Sequence, residues 1–191
     1  MLIFLLGAYG IGNILTATLI GKRLFAGDVR IAGSGNPGAR NMGRVFGKKA
    51  FVVTFICDAL KGVAVVLAAR WLGYNEIIQL ASLFAVMLGH IFPIVHRFKG
   101  GQGVSTFIGG MLAFNPLVVG LFVAAFIVLQ PLLKSFSATG LTAMSLSPAF
   151  VYAVTQDWRQ VVASCLVITL LLFAHRDDFK ALLNRDSIRN G

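Results

Sequence analysis

Two short stretches of this chain carry residue types suited to holding phosphate: Gly33-Ser34-Gly35-Asn36-Pro37-Gly38-Ala39-Arg40-Asn41 and Phe98-Lys99-Gly100-Gly101-Gln102-Gly103-Val104-Ser105-Thr106. In the first, glycines at 33, 35 and 38 let successive amides turn into one concavity, and Ser34, Asn36, Arg40 and Asn41 add hydroxyl, amide and guanidinium donors. In the second, Lys99 sits beside Gly100, Gly101 and Gln102. A cation that merely anchors a helix needs no glycines, whereas a backbone that must approach a phosphate does. Ser105 and Thr106 then open the next helix, where free amides and the helix dipole favour an anion. The G-x-G-x-x-G spacing at 33–38 lacks the preceding strand and following acid of a dinucleotide site.

The elements that must position these loops are membrane helices. Of 191 residues, 57% are apolar and 13% charged, a composition that excludes a water-soluble core and fits one membrane-integral domain over 1–191. Apolar runs long enough to cross the bilayer cover roughly 2–20, 50–69, 77–95, 117–133, 138–155 and 160–174. Val104 to Phe114 is apolar but short, and reads as a seventh span or a re-entrant piece. With seven spans and the N-terminus outside, Lys22, Arg23, Arg30, Arg40, Arg44, Lys48, Lys49, Arg97, Lys99, Lys134, Arg176, Lys180, Arg185 and Arg189 all face the cytoplasm. Arg70 and Arg159 face outward, and Lys61 lies within a span. This asymmetry obeys the positive-inside rule. The net charge of +10 therefore points to anionic lipid and phosphorylated substrates, not to nucleic acid. The fold class expected is all-α, polytopic, with the C-terminus cytoplasmic. The long polar loop after the first span is expected to include a short interfacial helix around Asn41 to Phe46.

Asp58 and Lys61, three apart in the second span, share a helical face and are expected to pair, since an unpaired charge at membrane depth is unfavourable by about 2.5–3.5 kcal/mol. His175 opens the tail as His175-Arg176-Asp177-Asp178, at the same face as both glycine loops, and is the histidine placed for function. His90 and His96 read as ordinary hydrogen-bonding residues. Cys57 and Cys165 sit in separate spans without metal-ligand spacing, so neither a disulfide nor a metal site is expected. No Ser-His-Asp order, nucleophile elbow or HExxH occurs, and no histidine is followed five residues on by aspartate, which excludes the H-x-x-x-x-D acyltransferases that use acyl-CoA or acyl carrier protein.

Taken together, the Gly33 to Asn41 loop with Arg44 and Gly47-Lys48-Lys49, Asp58-x-x-Lys61-Gly62, Gly89-His90-x-Phe92-Pro93 leading to Lys99-Gly100-Gly101, and His175-Arg176 resemble the PlsY family of bacterial integral-membrane glycerol-3-phosphate acyltransferases. The likeness covers nearly the whole chain. It implies a seven-helix protein of the bacterial cell membrane, active on its cytoplasmic face, that moves an acyl group from acyl phosphate to the sn-1 hydroxyl of glycerol 3-phosphate. Lysophosphatidic acid and phosphate would be the products. No cofactor is implied, and a monomer among membrane lipids is expected. In such a site Ser34 and the loop amides would hold a phosphate, Arg44 and Lys99 would balance charge, and His175 would orient the glycerol end, with Gly33, Gly35, Asn36, Gly38, Arg40, Asn41, Gly100, Gly101, Gln102, Ser105 and Asp178 binding substrate. The family usually has threonine, lysine and asparagine where this chain has Arg40, Gln102 and Asp178, and Arg40 is expected to restore the charge missing at Gln102. A paralogue with another phosphorylated acceptor, and a non-catalytic lipid-binding or lipid-transporting protein on the same scaffold, stand as alternatives.

Overall fold

The computed structural model describes residues 1–178, so Lys180, Arg185 and Arg189 lie outside the described residues. All regular structure among the described residues is helical: α1 (Leu2–Gly12), α2 (Thr16–Leu24), α3 (Ala39–Phe46), α4 (Lys48–Trp71), α5 (Glu76–Ile91), α6 (Val104–Phe114), α7 (Pro116–Leu133), α8 (Phe136–Ser145), α9 (Ser147–Thr155) and α10 (Trp158–Ala174). α3 is the short helix expected between the first two spans.

Four stretches are long and apolar enough to cross a membrane: Leu2–Leu24, Lys48–Trp71, Glu76–His96 and Pro116–Leu133. Val104–Phe114 and Trp158–Ala174 are apolar but shorter. Two of the six clear spans expected from hydropathy, 2–20 and 138–155, are each built of two helices. The first breaks after α1, where Asn13 Nδ2 bonds back to the Tyr9 carbonyl at 2.7 Å and Leu15 is extended, the local competition by which asparagine ends helices. The run 138–155 divides into α8 and α9 at Leu146, with Pro148 in the first turn of α9, where its missing N–H is tolerated and a continuous helix is not. Hydropathy averages across such breaks and does not register them.

The core is built by close backbone approach. Gly62 of α4 faces α6, where an added Cβ would press on the Thr106 carbonyl and lie 2.7 Å from the Gly110 nitrogen. Gly12 and Gly89 bring α1 and α5 together in the same way. Small residues at membrane helix contacts permit this packing, since apolar side chains gain nothing by leaving lipid. Leu80, Leu83, Val86 and Met87 of α5 fill the centre with Phe107 and Met111 of α6 and Leu171 of α10. α7 touches this core only through one end, where Val118, its one buried residue, joins the cluster with Val119 and Phe122 beside it.

Helix lengths set the depth of the loops. α4 has 24 residues and α6 has 11, about 36 Å against about 16 Å at 1.5 Å per residue. α6 ends level with the end of α4, where Arg70 Nη2 donates to the Ala113 and Phe114 carbonyls, each at 2.8 Å. Its start therefore lies far below the other end of α4, near Asp58, about 15 Å from Lys48. The short apolar segment is a helix that begins at the floor of a recess.

Candidate active site

That recess is a cavity of about 850 Å³ lined by both glycine loops and the end of α10. Of the residues singled out in the sequence, Ser34, Gly35, Asn36, Arg40, Asn41, Arg44, Lys99, Gly100, Gly101, Gln102 and Asp178 line it; Gly33, Gly38, Ser105 and His175 do not. Ser105 is buried beneath the floor, next to Thr106, whose hydroxyl is buried and has no partner among the described residues.

The first loop is arranged around Asn41, which is 1% exposed. Its Oδ1 accepts from the Ser34 amide at 2.9 Å, and its Nδ2 donates to the carbonyls of Val29 at 3.1 Å and Ala32 at 2.9 Å. Asn41 therefore pins the loop, although it also borders the cavity. Three of the loop amides expected to turn toward an anion are paired within the protein instead. Ser34 N–H is taken by Asn41, Gly35 N–H by the Ala32 carbonyl and Gly38 N–H by the Asn36 carbonyl. Donors left for an anion include the Asn36 backbone amide, the Ser34 hydroxyl, the side chains of Arg40 and Arg44, and the start of α3, whose first amides have no intrahelical acceptor. Gly33, at φ +61°, is required for a different reason: a Cβ there would fall on Asn41 Oδ1.

The second loop departs from expectation in the same direction. Gly100 N–H bonds to the Ile91 carbonyl and Gly101 N–H to the His90 carbonyl, both at 3.1 Å. A Cβ on Gly100 would lie 2.7 Å from the Ile91 carbonyl, and one on Gly101 within 3.1 Å of His90 Cε1. These glycines let the loop lie flat on the end of α5, so their selection reflects protein packing before phosphate approach. Arg97 and Phe98, which precede Lys99, both hold positive φ (+53° and +61°), a conformation unfavourable by about 1–3 kcal/mol that persists where surrounding structure enforces it.

Charge in the cavity is strongly positive. Arg30 is matched by Asp28 at 2.7 Å, and its guanidinium holds the Asp28 carboxyl down to about 2. Arg44, Arg97 and Lys99 have no carboxylate partner among the described residues, and all three are exposed to the cavity. Arg40 Nη1 donates to Ser137 Oγ at the start of α8. Gln102 has no hydrogen bond to Arg40 among the described residues; it accepts from Asn36 Nδ2 at 2.9 Å and donates to Asp178 Oδ2 at 2.5 Å, joining both loops to the segment that follows α10. His175 is 5% exposed and its Nδ1–H donates to the Leu171 carbonyl at 2.8 Å, leaving Nε2 as an acceptor. Burial pushes its pKa below the ordinary 6.5, outweighing the opposite pull of that hydrogen bond and of Asp178. It sits between Ala174 and Arg176, which do line the cavity.

The expected Asp58–Lys61 pair forms at 2.8 Å, with both side chains buried directly below this floor. His90 is part of it, accepting from Lys61 at 3.1 Å. The histidine's connection to the glycine loop was not legible from spacing alone, though Gly89-His90 preceding Lys99-Gly100-Gly101 by ten residues is the signal that a tight reversal joins them.

A family model described as glycerol-3-phosphate acyltransferase matches residues 2–185. A protein named glycerol-3-phosphate acyltransferase 1 from Bacillus cereus (strain ATCC 10987 / NRS 248) is 44% identical over 175 residues, covering 92% of this chain and 96% of that protein. A glycerol-3-phosphate acyltransferase from Ruthia magnifica subsp. Calyptogena magnifica is 36% identical over 183 residues, 96% of this chain and 93% of its own. Two crystal structures of PlsY (YgiH), an integral membrane glycerol 3-phosphate acyltransferase, superpose closely. Its glycerol 3-phosphate form gives a TM-score of 0.85 and its lysophosphatidic acid form 0.83, each at 29% identity and over 96% of this chain, and over 92% and 91% of the respective neighbour.

Proposed function

This chain belongs to the glycerol-3-phosphate acyltransferase family, and we propose that the cavity between its two glycine-rich loops is where it acts, with acyl phosphate as donor and the cytoplasm as the compartment it opens to. The protein is an acyltransferase that acylates glycerol 3-phosphate to lysophosphatidic acid, the entry step of phospholipid synthesis. The observation that carries the assignment to this cavity is that Ser34, Arg44 and Lys99, from three separate elements, line one cavity.

Acyl phosphate fits the residues present. Its mixed anhydride is already activated, so the glycerol hydroxyl oxygen attacks the acyl carbon, the bond from that carbon to the phosphate oxygen breaks, and inorganic phosphate leaves. The departing phosphate takes the hydroxyl proton. Arg44 and Lys99 neutralise the phosphate charge, Ser34 donates to it, and His175, neutral with Nε2 free to accept, orients the glycerol end. Positioning and charge neutralisation supply the rate in such a reaction. A recessed site also suits one water-soluble and one membrane-borne substrate.

Seven spans with the N-terminus outside accord with the two ends of the molecule. Arg70, one of the two cations expected to face outward, gathers with Glu76, Asn115, Thr155 and Gln160 around a second polar cavity. It lies at the end of α4 and α6 away from the first. Side-selective labelling of cysteines placed at Asn115 and Lys134 tests this reading, which requires Asn115 outside and Lys134 on the cytoplasmic side; six spans reverse both.

The activity is tested by phosphate release from palmitoyl phosphate by the detergent-purified protein, with and without glycerol 3-phosphate, beside Ser34→Ala. Release that depends on the acceptor, yields lysophosphatidic acid and is lost in the variant supports the proposal. Acceptor-independent release, or none from a folded protein, overturns it.

A further inference from the structure

Building on the acyltransferase reading, we infer that Lys61 is a positioning residue, which with Asp58 and His90 sets the separation of the two anion-binding loops from beneath. Lys61 is 8% exposed and outside the cavity lining. Its ammonium has three protons, and each has a partner: Asp58 Oδ1 at 2.8 Å, the Ile14 carbonyl at 2.8 Å and His90 Nδ1 at 3.1 Å. Since an ammonium offers no acceptor, His90 accepts through Nδ1 and carries its own proton on Nε2.

Each contact leads to a loop. The Ile14 carbonyl belongs to the break between α1 and α2, where it lacks a helical partner and must find one away from water. Thr16, the first residue of α2, donates its hydroxyl to Asp58. α2 runs from there directly into the segment that carries Ser34. On the other side, the His90 carbonyl holds the Gly101 amide, the next carbonyl holds Gly100, and the His90 ring lies under Gly101. The root of the first loop and the floor of the second are therefore fastened to one ammonium group. At the rim the same loops meet again through Asn36 and Gln102.

Stability does not explain this arrangement. Buried ion pairs are often replaced by apolar residues of similar volume with no loss, or with a gain, in stability, and ionisable groups at membrane depth are unfavourable to insert. A fixed geometry is what the three-way contact supplies and an apolar replacement does not.

Two sets of variants test the inference, each assayed for acceptor-dependent phosphate release beside the wild type. Asp58→Asn with Lys61→Met removes both charges at nearly constant volume. It leaves the Ile14 carbonyl and His90 Nδ1 without a donor, so the thermal midpoint should fall by a few degrees, while kcat measured well below that midpoint falls between about tenfold and about a hundredfold, the effect of a displacement on the ångström scale. His90→Asn keeps an acceptor near the Nδ1 position, and His90→Leu does not. Asn should therefore retain more kcat than Leu, the reverse of the order expected if the site needed only apolar filling. Independently of catalysis, disulfide formation between cysteines at 36 and 102, in a background without Cys57 and Cys165, should slow in the double variant. Wild-type kcat and crosslinking rate in the double variant, or Leu outperforming Asn at 90, overturns the inference. An inactive wild type would refute the acyltransferase assignment and leave the crosslinking comparison to decide the positioning role.

Discussion

Replacing Asn41 with alanine separates a residue that pins the first loop from one that touches substrate. The change removes three hydrogen bonds, from Ser34 N–H and to the carbonyls of Val29 and Ala32, made by a side chain that is itself buried. At about 0.5–1.5 kcal/mol each, together they bias the loop by about 1.5–4.5 kcal/mol. A shift of that size, at about 1.4 kcal/mol per factor of ten, lowers the share of molecules with Ser34 correctly placed by about tenfold to a thousandfold. Substrate binding recovers part of this, so kcat/KM for glycerol 3-phosphate should fall by about tenfold to a hundredfold. The packing of α4, α5 and α6 is untouched, so the thermal midpoint should move little. Hydrogen exchange of the amides from 29 to 36 should speed up by a comparable factor. Gly33→Ala should reproduce both effects, because its Cβ would displace Asn41 Oδ1. If KM rises while exchange in the loop stays at the wild-type rate, Asn41 is a direct substrate ligand and the reasoning fails.

Gly101→Ala should lower kcat by at least about tenfold without unfolding the protein, because the new methyl group meets the His90 ring and lifts the loop that carries Lys99; an unchanged rate would show that the loop tolerates displacement. Gly62→Ala should destabilise the protein by about 1–3 kcal/mol, since the added carbon meets backbone of α6, while Gly120→Ala on the lipid-facing helix has open space and serves as the neutral control. Thermal unfolding in detergent compares the two. Arg40→Thr should raise the KM for glycerol 3-phosphate about fivefold, as expected for an exposed charge, and adding Gln102→Lys should restore it; failure to recover would show that Arg40 does not compensate for Gln102. Because burial holds His175 below its ordinary pKa of 6.5, the unfolded chain binds a proton that the folded chain refuses as pH falls through that value, and stability falls with it. Wild type should therefore lose more of its thermal midpoint between about pH 7.5 and about pH 5.5 than His175→Gln does, as differential scanning fluorimetry would record.

Residue chemistry carried the reading of this chain further than hydropathy did. Ser34, Arg44, Lys99 and the Asp58–Lys61 pair were legible because their types are out of place in a membrane protein unless something needs them. The breaks at Asn13 and at Leu146 were not, since a helix interruption depends on one side-chain contact or one proline while hydropathy averages over a whole window. The function of the glycines was legible as close approach, but not which surface is approached. Gly100 and Gly101 meet His90 and Ile91, and Gly33 meets Asn41, contacts made by residues far away or on the next turn that spacing cannot assign. Asn41 was read as a donor toward substrate because the sequence shows its amide and not the carbonyls that occupy it.

The shortness of α6 bears on the membrane as an electrical barrier. Polar cavities approach this helix from both ends, one walled by Lys99 to Gln102 and the other by Arg70, Phe114 and Asn115. The 11 residues of α6 therefore span nearly all the low-dielectric thickness that separates them. Phe107, Met111 and Phe114, packed with Leu83 and Met87, form an insulating plug in which each side chain replaces several ångströms of lipid. A small polar residue at Met111 would remove part of that apolar barrier, so the packing of α6 separates the two polar cavities as well as supporting the floor of the first.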